Sequence, residues 1–557
     1  MKAKQTTIQS MLGGADQQFV VPLFQRLYSW KRREWKMLWE DIEELYTADG
    51  SPVHFFGSVV TATFEPTPAG VSKYLLIDGQ QRFTTLVVLL WAVRNLAIER
   101  GTPKLAQQIE EAYLFNKFAE NDLDRFKLLP TQLDRPAYQG LLSDDRRNVQ
   151  GRIDDAYRFF RSRLDDTDPD GNPWDLQRLF QIIIQRLEIV SIDLDNDDDP
   201  QLIFESLNFK GAPLSQADLV RNYYFFRIPS AQRQQETYDQ LWRPMEERLG
   251  ESLAEFIRQY LCKDGSFVSK GNVYQALQKR LAQQGESAVI DSLHKLNDCS
   301  EHYRRLIAPQ SESDPRLAKR FARLNEWQVG VVRPLLMKLY EWVAEGHVEA
   351  AQFEKCCQLI ESYVVRRTFL GYKTNPLNRY FIALSGSIEP SDPATFIGKY
   401  LSEHAWPTNA QFRVGFCQFP LYESGQERVR LVLESLEEKH GHKEPVDVSN
   451  LTITIEHIMP QSPNASWKGM LGENWQRDHA ELLHTVGNLT LTGYNSPLGN
   501  RPFEEKRNFF EQSHLEINKW VSQQERWTRT EIEARATILF EKAVETWPGP
   551  EPWLAQE

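Results

Sequence analysis

The sequence predicts an α+β chain, predominantly helical, with a mixed N-terminal module, a helical middle and a compact C-terminal module. Three observations predict it. Extended and helical signals alternate over residues 19 to 93. Apolar residues then recur at helical spacing from about 105 to 400. A β-branched run, Leu451 to Ile455, follows a polar, turn-rich stretch at His440–Pro445. The 557 residues exceed one ordinary core, and their 41% apolar fraction supplies several. The expected domains are 1–230, 231–400 and 401–557.

In the first module Phe19–Pro22 reads as a strand, and Trp30 to Leu45 carries apolar residues at helical spacing. Phe55–Thr63 and Tyr74–Asp78 read as further strands, the second ending at Gly79 before a helix from Arg82 to Ala97. The helical middle is interrupted by the polar segment Asp165–Pro173 and the strand-like run Leu187–Leu194. No solenoid-period repeat is present. In the last module the order reads strand, loop, strand, helix: Leu451–Ile455 leading into His457, then Gly487–Thr492, then the basic segment around Lys506-Arg507.

Composition excludes several classes. The longest apolar run, Leu86–Val93, belongs to an amphipathic helical pattern and is too short for a membrane span, and the Met1-Lys-Ala-Lys start leads into no apolar signal core. A soluble, cytoplasmic protein without membrane partners is expected. Cys262, Cys299, Cys356, Cys357 and Cys417 show no disulfide or finger spacing and read as reduced structural thiols. A net charge of -12 argues against indiscriminate coating of nucleic acid, which depends on phosphate neutralisation. Lys31-Arg32-Arg33, Arg366-Arg367 and Lys506-Arg507 are candidates for a local basic groove or for ordinary solvated faces.

The strongest chemical signal is Glu456-His457-Ile458-Met459-Pro460-Gln461, followed by Gly487-Asn488-Leu489-Thr490-Leu491, Asn495 and Asn500. Phosphodiester hydrolysis needs a base to deprotonate water and a divalent ion to stabilise the leaving oxygen. His457 suits the base, because an imidazole titrates near neutrality. Glu456 and the Asn oxygens suit Mg2+ or Mn2+, which prefer oxygen ligands. An isolated His–Asn pair is ordinarily a buried, hydrogen-bonded histidine; the ordered set carries the catalytic reading. His479 and His484 do not complete a tetrahedral zinc set with His457.

A second signal is Ile77-Asp78-Gly79-Gln80-Gln81-Arg82, a strand joined to a helix through a glycine turn. Backbone N–H groups at that helix start can receive phosphate oxygens, Arg82 can clamp them, and Asp78 can hold a metal or polarise water. The same residues also suit an ordinary turn and helix cap. No GxxxxGK[ST] sequence occurs, so any nucleotide site here is not a P-loop. The acidic run Asp193–Asp199 lacks the glycine and final glutamate of a calcium loop and reads as a solvated loop.

Both ends of the chain resemble the GmrSD-type, or type IV, modification-dependent restriction enzymes. The C-terminal set resembles the HNH, or ββα-metal, motif of that family. The resemblance implies that His457 is the base, that Asn488 supports its loop, and that Asn495 is the metal-side residue. Asn495 and Asn500 both precede the basic helix, and which faces the ion stays open. Glu456 stands where many such enzymes carry Asp.

At the other end, Phe24–Trp30, His54–Ser58, the Asp78-to-Arg82 motif, Ile203–Asn208 with Gly211, and Asp218–Asn222 resemble the family's N-terminal module in its order. That resemblance implies a ParB/sulfiredoxin-like fold that binds and hydrolyses a nucleoside triphosphate. ATP, GTP, CTP and UTP are not distinguished. It nominates Arg26, Asp78, Gln80, Gln81 and Arg82 for the nucleotide, with Asn208 and Asp218 second. The implied activity is NTP-regulated cleavage of foreign or phage double-stranded DNA carrying hydroxymethylated or glucosylated cytosine, with homodimerisation open. A phosphorothioate-responsive nicking nuclease and a non-cleaving regulatory DNA-binding NTPase are the alternatives.

Overall fold

The computed structural model describes residues 1–13, 16–22, 24–50, 52–64, 70–117, 119, 122–142, 151–195, 215–440, 453–493 and 499–554. Asn208, Asn495, Gly211 and most of the acidic run after Asp195 lie outside the described residues. The chain is mostly helical and divides into two compact units, one of residues 1–244 and 277–293, the other of 245–276 and 294–557.

The first unit is built on a six-stranded mixed sheet among the described residues. Its strands are β1 (Lys2–Thr7), β2 (Gln17–Val20), β3 (His54–Phe64), β4 (Ser72–Asp78), β5 (Leu128–Leu129) and β6 (Leu187–Leu194), in the order β1-β6-β3-β4-β2-β5. The run Leu187–Leu194 is thus an interior strand, antiparallel to β1 and parallel to β3. Helices Arg32–Thr47, Gln80–Glu99, Arg152–Asp165 and Leu176–Gln185 contribute to one large apolar core with Val59, Leu76 and Ile189 of the sheet. A second, smaller cluster joins Val60, Ile77 and Leu194 to Leu219 and Phe226 of helix Gln216–Phe226.

The helix Gln80–Glu99 departs from the amphipathic expectation. Every residue from Leu86 to Val93 is buried, so the helix lies within the core and its sequence has no polar stripe to display. Gly79 makes its tight start possible. Its φ is +86°, and a Cβ there would meet the Ser58 carbonyl oxygen at 2.7 Å.

The second unit is helical until a short antiparallel hairpin of β7 (Thr454–His457) and β8 (Leu489–Thr492), in which Glu456 faces Thr490 and His457 faces Leu489. Helices Ala465–Leu471 and Trp475–Leu482 lie in the connection, and Phe503–Glu511, Glu516–Ser522 and Arg529–Thr546 follow. Ile458, Met459, Trp467, Phe503, Phe510 and Trp527 close a compact core behind the strand end. No described helix is long and apolar enough to cross a membrane.

Burial revises the Arg366-Arg367 pair and Lys506, while Arg507 is only partly buried. Arg366 is fully buried, donating to the carbonyls of Trp547 and Pro407, and Arg367 donates to that of Ala405. Lys506 is also fully buried. These cations satisfy interior acceptors and line no open groove, whereas Lys31, Arg32 and Arg33 are exposed.

Candidate active site

His457 closes β7, and the chain leaves the strand under tight control from Asn488. The Asn488 side chain accepts from the Met459 N–H at 2.7 Å and from Trp527 Nε1 at 3.1 Å. Its amide nitrogen donates to the Met459 carbonyl at 3.0 Å and the Leu483 carbonyl at 2.9 Å. With the Ile458 N–H donating to the Asn488 carbonyl at 2.9 Å, the loop after the imidazole is locked to the turn before β8. Asn488 therefore supports the loop, and its amide is fully used in doing so.

Arg535 braces the same turn from the helix Arg529–Thr546. It donates to the carbonyls of Gly487 at 2.9 Å and Leu489 at 2.7 Å, and complete burial pushes its guanidinium down to about 9.

The His457 ring is 7% exposed and touched on both nitrogens. Its Nδ1 lies 3.3 Å from Gln461 Nε2, and its Nε2 lies 3.2 Å from His484 Nδ1. Tyr422 stands edge-on to it, with ring centroids 4.4 Å apart. Burial, followed by His484, Lys506 and His479, pushes the imidazole down to about 4. The ring is consequently neutral around pH 7, which is the form a general base requires.

Glu456 precedes it in the strand, so the two side chains leave on opposite faces. Its Oε1 lies 2.6 Å from Lys506 Nζ, and that ammonium also donates to the His457 carbonyl at 2.9 Å. Burial raises the Glu456 carboxyl while Lys506 opposes the shift. Asn500 is exposed, its carbonyl accepting from Asn464 Nδ2 at 2.8 Å. His479 is engaged by the Pro460 carbonyl at 3.0 Å, and among the described residues no three His, Cys, Asp or Glu side chains form a metal-holding group. Glu456 and Asn500 offer oxygen, the donor type that Mg2+ and Mn2+ prefer, and the Glu456 carboxylate is already paired with Lys506.

In the first unit the turn Asp78-Gly79-Gln80 joins β4 to its helix as expected. Arg82 donates to the Ser58 carbonyl at 2.7 Å and to Asp78 Oδ2 at 3.3 Å, while its Nε is buried without a hydrogen bond. Gly57, at φ +121°, leaves room for that guanidinium, which a Cβ would approach to 3.0 Å. Gln81 is buried and holds the neighbouring loop, accepting from the Ser29 N–H at 2.7 Å and donating to the Leu27 carbonyl at 3.2 Å. Gln25 donates to the Ile77 carbonyl at 3.3 Å. Half-buried Arg26 is thus flanked by two residues tied to the turn. Gln80 is buried at the helix start. Asp218 forms a capping box with Ser215 and pairs with Arg221 at 2.7 Å.

Two sequence comparisons match these two regions. Residues 8–225 match the GmrSD restriction endonuclease N-terminal domain, and residues 406–542 match the GmrSD restriction endonucleases C-terminal domain. The chain belongs to the GmrSD family of restriction endonucleases. None of the curated proteins matches it.

Within this GmrSD-type chain the structure adds residues that the motif did not single out. Tyr422, Lys506 and Arg535 reach the strand end from three different helical elements. His484 appeared only as an incomplete zinc candidate.

Proposed function

We propose that this GmrSD-type chain is a metal-dependent DNA endonuclease whose general base is His457 and whose action is regulated by a nucleoside triphosphate at the Asp78–Arg82 turn. The observation that carries the reading is the buried imidazole at the end of β7, on a loop locked by Asn488, within the matched C-terminal domain. His457 takes the proton of the attacking water, and Gln461 and His484 hold its ring.

Glu456, with Asn500 and Asn495, would hold Mg2+ or Mn2+, which when bound supplies charge stabilisation at the scissile phosphate. Lys506 already neutralises much of the Glu456 charge. Metal affinity in the absence of DNA phosphate is therefore low.

Nucleotide binding rests on the left-handed Gly79 at the start of a 20-residue helix, where free N–H groups favour phosphate, and on Arg82 beside Asp78. The substrate proposed is double-stranded DNA with hydroxymethylated or glucosylated cytosine. Digestion of phage DNAs differing only in cytosine modification tests it: cleavage of the modified DNA alone is expected, and equal cleavage of unmodified DNA contradicts the specificity.

A further inference from the structure

We propose that His484 is a positioning residue for His457, acting as the acceptor that fixes the tautomer of the base. The inference rests on the reading of His457 as the base and extends it.

The two facing nitrogens, His457 Nε2 and His484 Nδ1, are 3.2 Å apart, so one carries the shared hydrogen and the other accepts it. Gln461 favours one arrangement. Its amide nitrogen lies 3.3 Å from His457 Nδ1, and in that orientation it donates to a lone pair there and leaves the ring hydrogen on Nε2. His484 Nδ1 is therefore the acceptor, and His457 Nδ1 is the basic atom.

The acceptor is itself held firmly. Tyr422 stacks on the His484 ring at 5.3 Å and 11°, and the Tyr422 N–H donates to the His484 carbonyl at 3.2 Å. On the other side, the carbonyl of the preceding Leu483 is bound by Asn488. One residue, Asn488, thus anchors both the loop after the base and the residue beside its acceptor.

This arrangement has the logic of a base oriented through its distal nitrogen, with a second imidazole in the place a carboxylate often fills. During hydrolysis the Gln461 amide gives up its bond to His457 Nδ1, the water oxygen bonds to phosphorus, and the water proton passes to that nitrogen. The phosphorus–oxygen bond to the leaving group breaks, and that oxygen keeps the electron pair and takes a proton from solvent. The imidazolium formed at His457 donates its Nε2–H to His484, a charge-assisted bond stronger than the neutral one it replaces.

The test compares full-length His484→Phe, His484→Asn and His484→Gln with His457→Ala in Mg2+-activated cleavage of a DNA that the wild type cuts. Phenylalanine keeps the stack on Tyr422 and removes the acceptor; asparagine restores an acceptor near the Nδ1 position, whereas glutamine carries its amide farther out. Loss of an orienting partner of this kind costs about 10–100-fold. His484→Phe should lower kcat by that factor with KM for DNA unchanged, and His484→Asn should recover about tenfold of it. Wild-type kcat in His484→Phe, or no recovery with asparagine, overturns the proposal. If the phenylalanine variant does not fold, asparagine should exceed glutamine by about tenfold in kcat, and equal rates overturn it. Cleavage by His457→Ala would instead remove the underlying reading, while an inactive His457→Ala beside a fully active His484→Phe removes this inference alone.

Discussion

Lys506 Nζ and Glu456 Oε1 are 2.6 Å apart in the interior, and the same ammonium holds the carbonyl of His457. Removing one partner of a buried pair strands the other charge, at a cost of about 3–5 kcal/mol. Lys506→Met should therefore destabilise the protein by about that amount in urea denaturation. Lys506→Met combined with Glu456→Leu should regain most of it, because neither charge is then left unpaired. Equal stability of Lys506→Met and wild type would show that the carboxylate has another route to water.

Asn488→Ala removes a fully used amide and leaves the Met459 N–H and two carbonyls without their partner. Each unmet buried group costs about 1–3 kcal/mol, so a loss of at least about 3 kcal/mol is expected. Cleavage should fall at a temperature where the variant is still folded, since the loop carrying Gln461 is released. Thermal melting and cleavage of the same preparation check both halves.

Metal removal should silence the nuclease. Cleavage is expected to require added Mg2+ or Mn2+ and to vanish in EDTA, because Glu456 and the Asn oxygens suit hard ions. Full cleavage in excess EDTA would rule out the oxygen-ligand site. Because Lys506 shares the Glu456 carboxylate, titration of Mn2+ should give tighter binding with DNA present than without it.

The periodic parts of this fold were legible in the sequence. The helix expected over Trp30 to Leu45 runs from Arg32 to Thr47, and the strand expected before His457 includes it. Leu187–Leu194 was legible as a strand, yet its place between β1 and β3 was not, since a period of two says nothing about which edge a strand joins. His457 and Glu456 could be nominated because they are adjacent, and Asn488 because it falls in the ordered run that follows them.

Tyr422 and Lys506 were not legible as site residues. They lie 35 and 49 residues from His457 along the chain, on elements that only packing brings to the strand end. The basic runs misled for a related reason. Charge suggests surface, but Arg366 and Lys506 are paired inside, where interior carbonyls and Glu456 supply the acceptors that water otherwise would.

At the other end of the chain, Asp78→Ala and Arg82→Ala should each abolish nucleotide hydrolysis. Arg82→Lys should not restore it, because one ammonium does not reproduce the planar fork that spans the Ser58 carbonyl, Asp78 and a phosphate. Wild-type hydrolysis by folded Asp78→Ala and Arg82→Ala would move the nucleotide elsewhere.

The central claim is that DNA is cut at His457 and that this chemistry is separable from nucleotide turnover at Arg82. The direct measurement is His457→Ala, assayed for both activities on one preparation whose fold is verified by circular dichroism. Loss of a general base costs about a hundredfold to ten-thousandfold, so DNA cleavage should fall below detection in a gel assay while nucleotide hydrolysis persists. Robust cleavage by that variant would contradict the account.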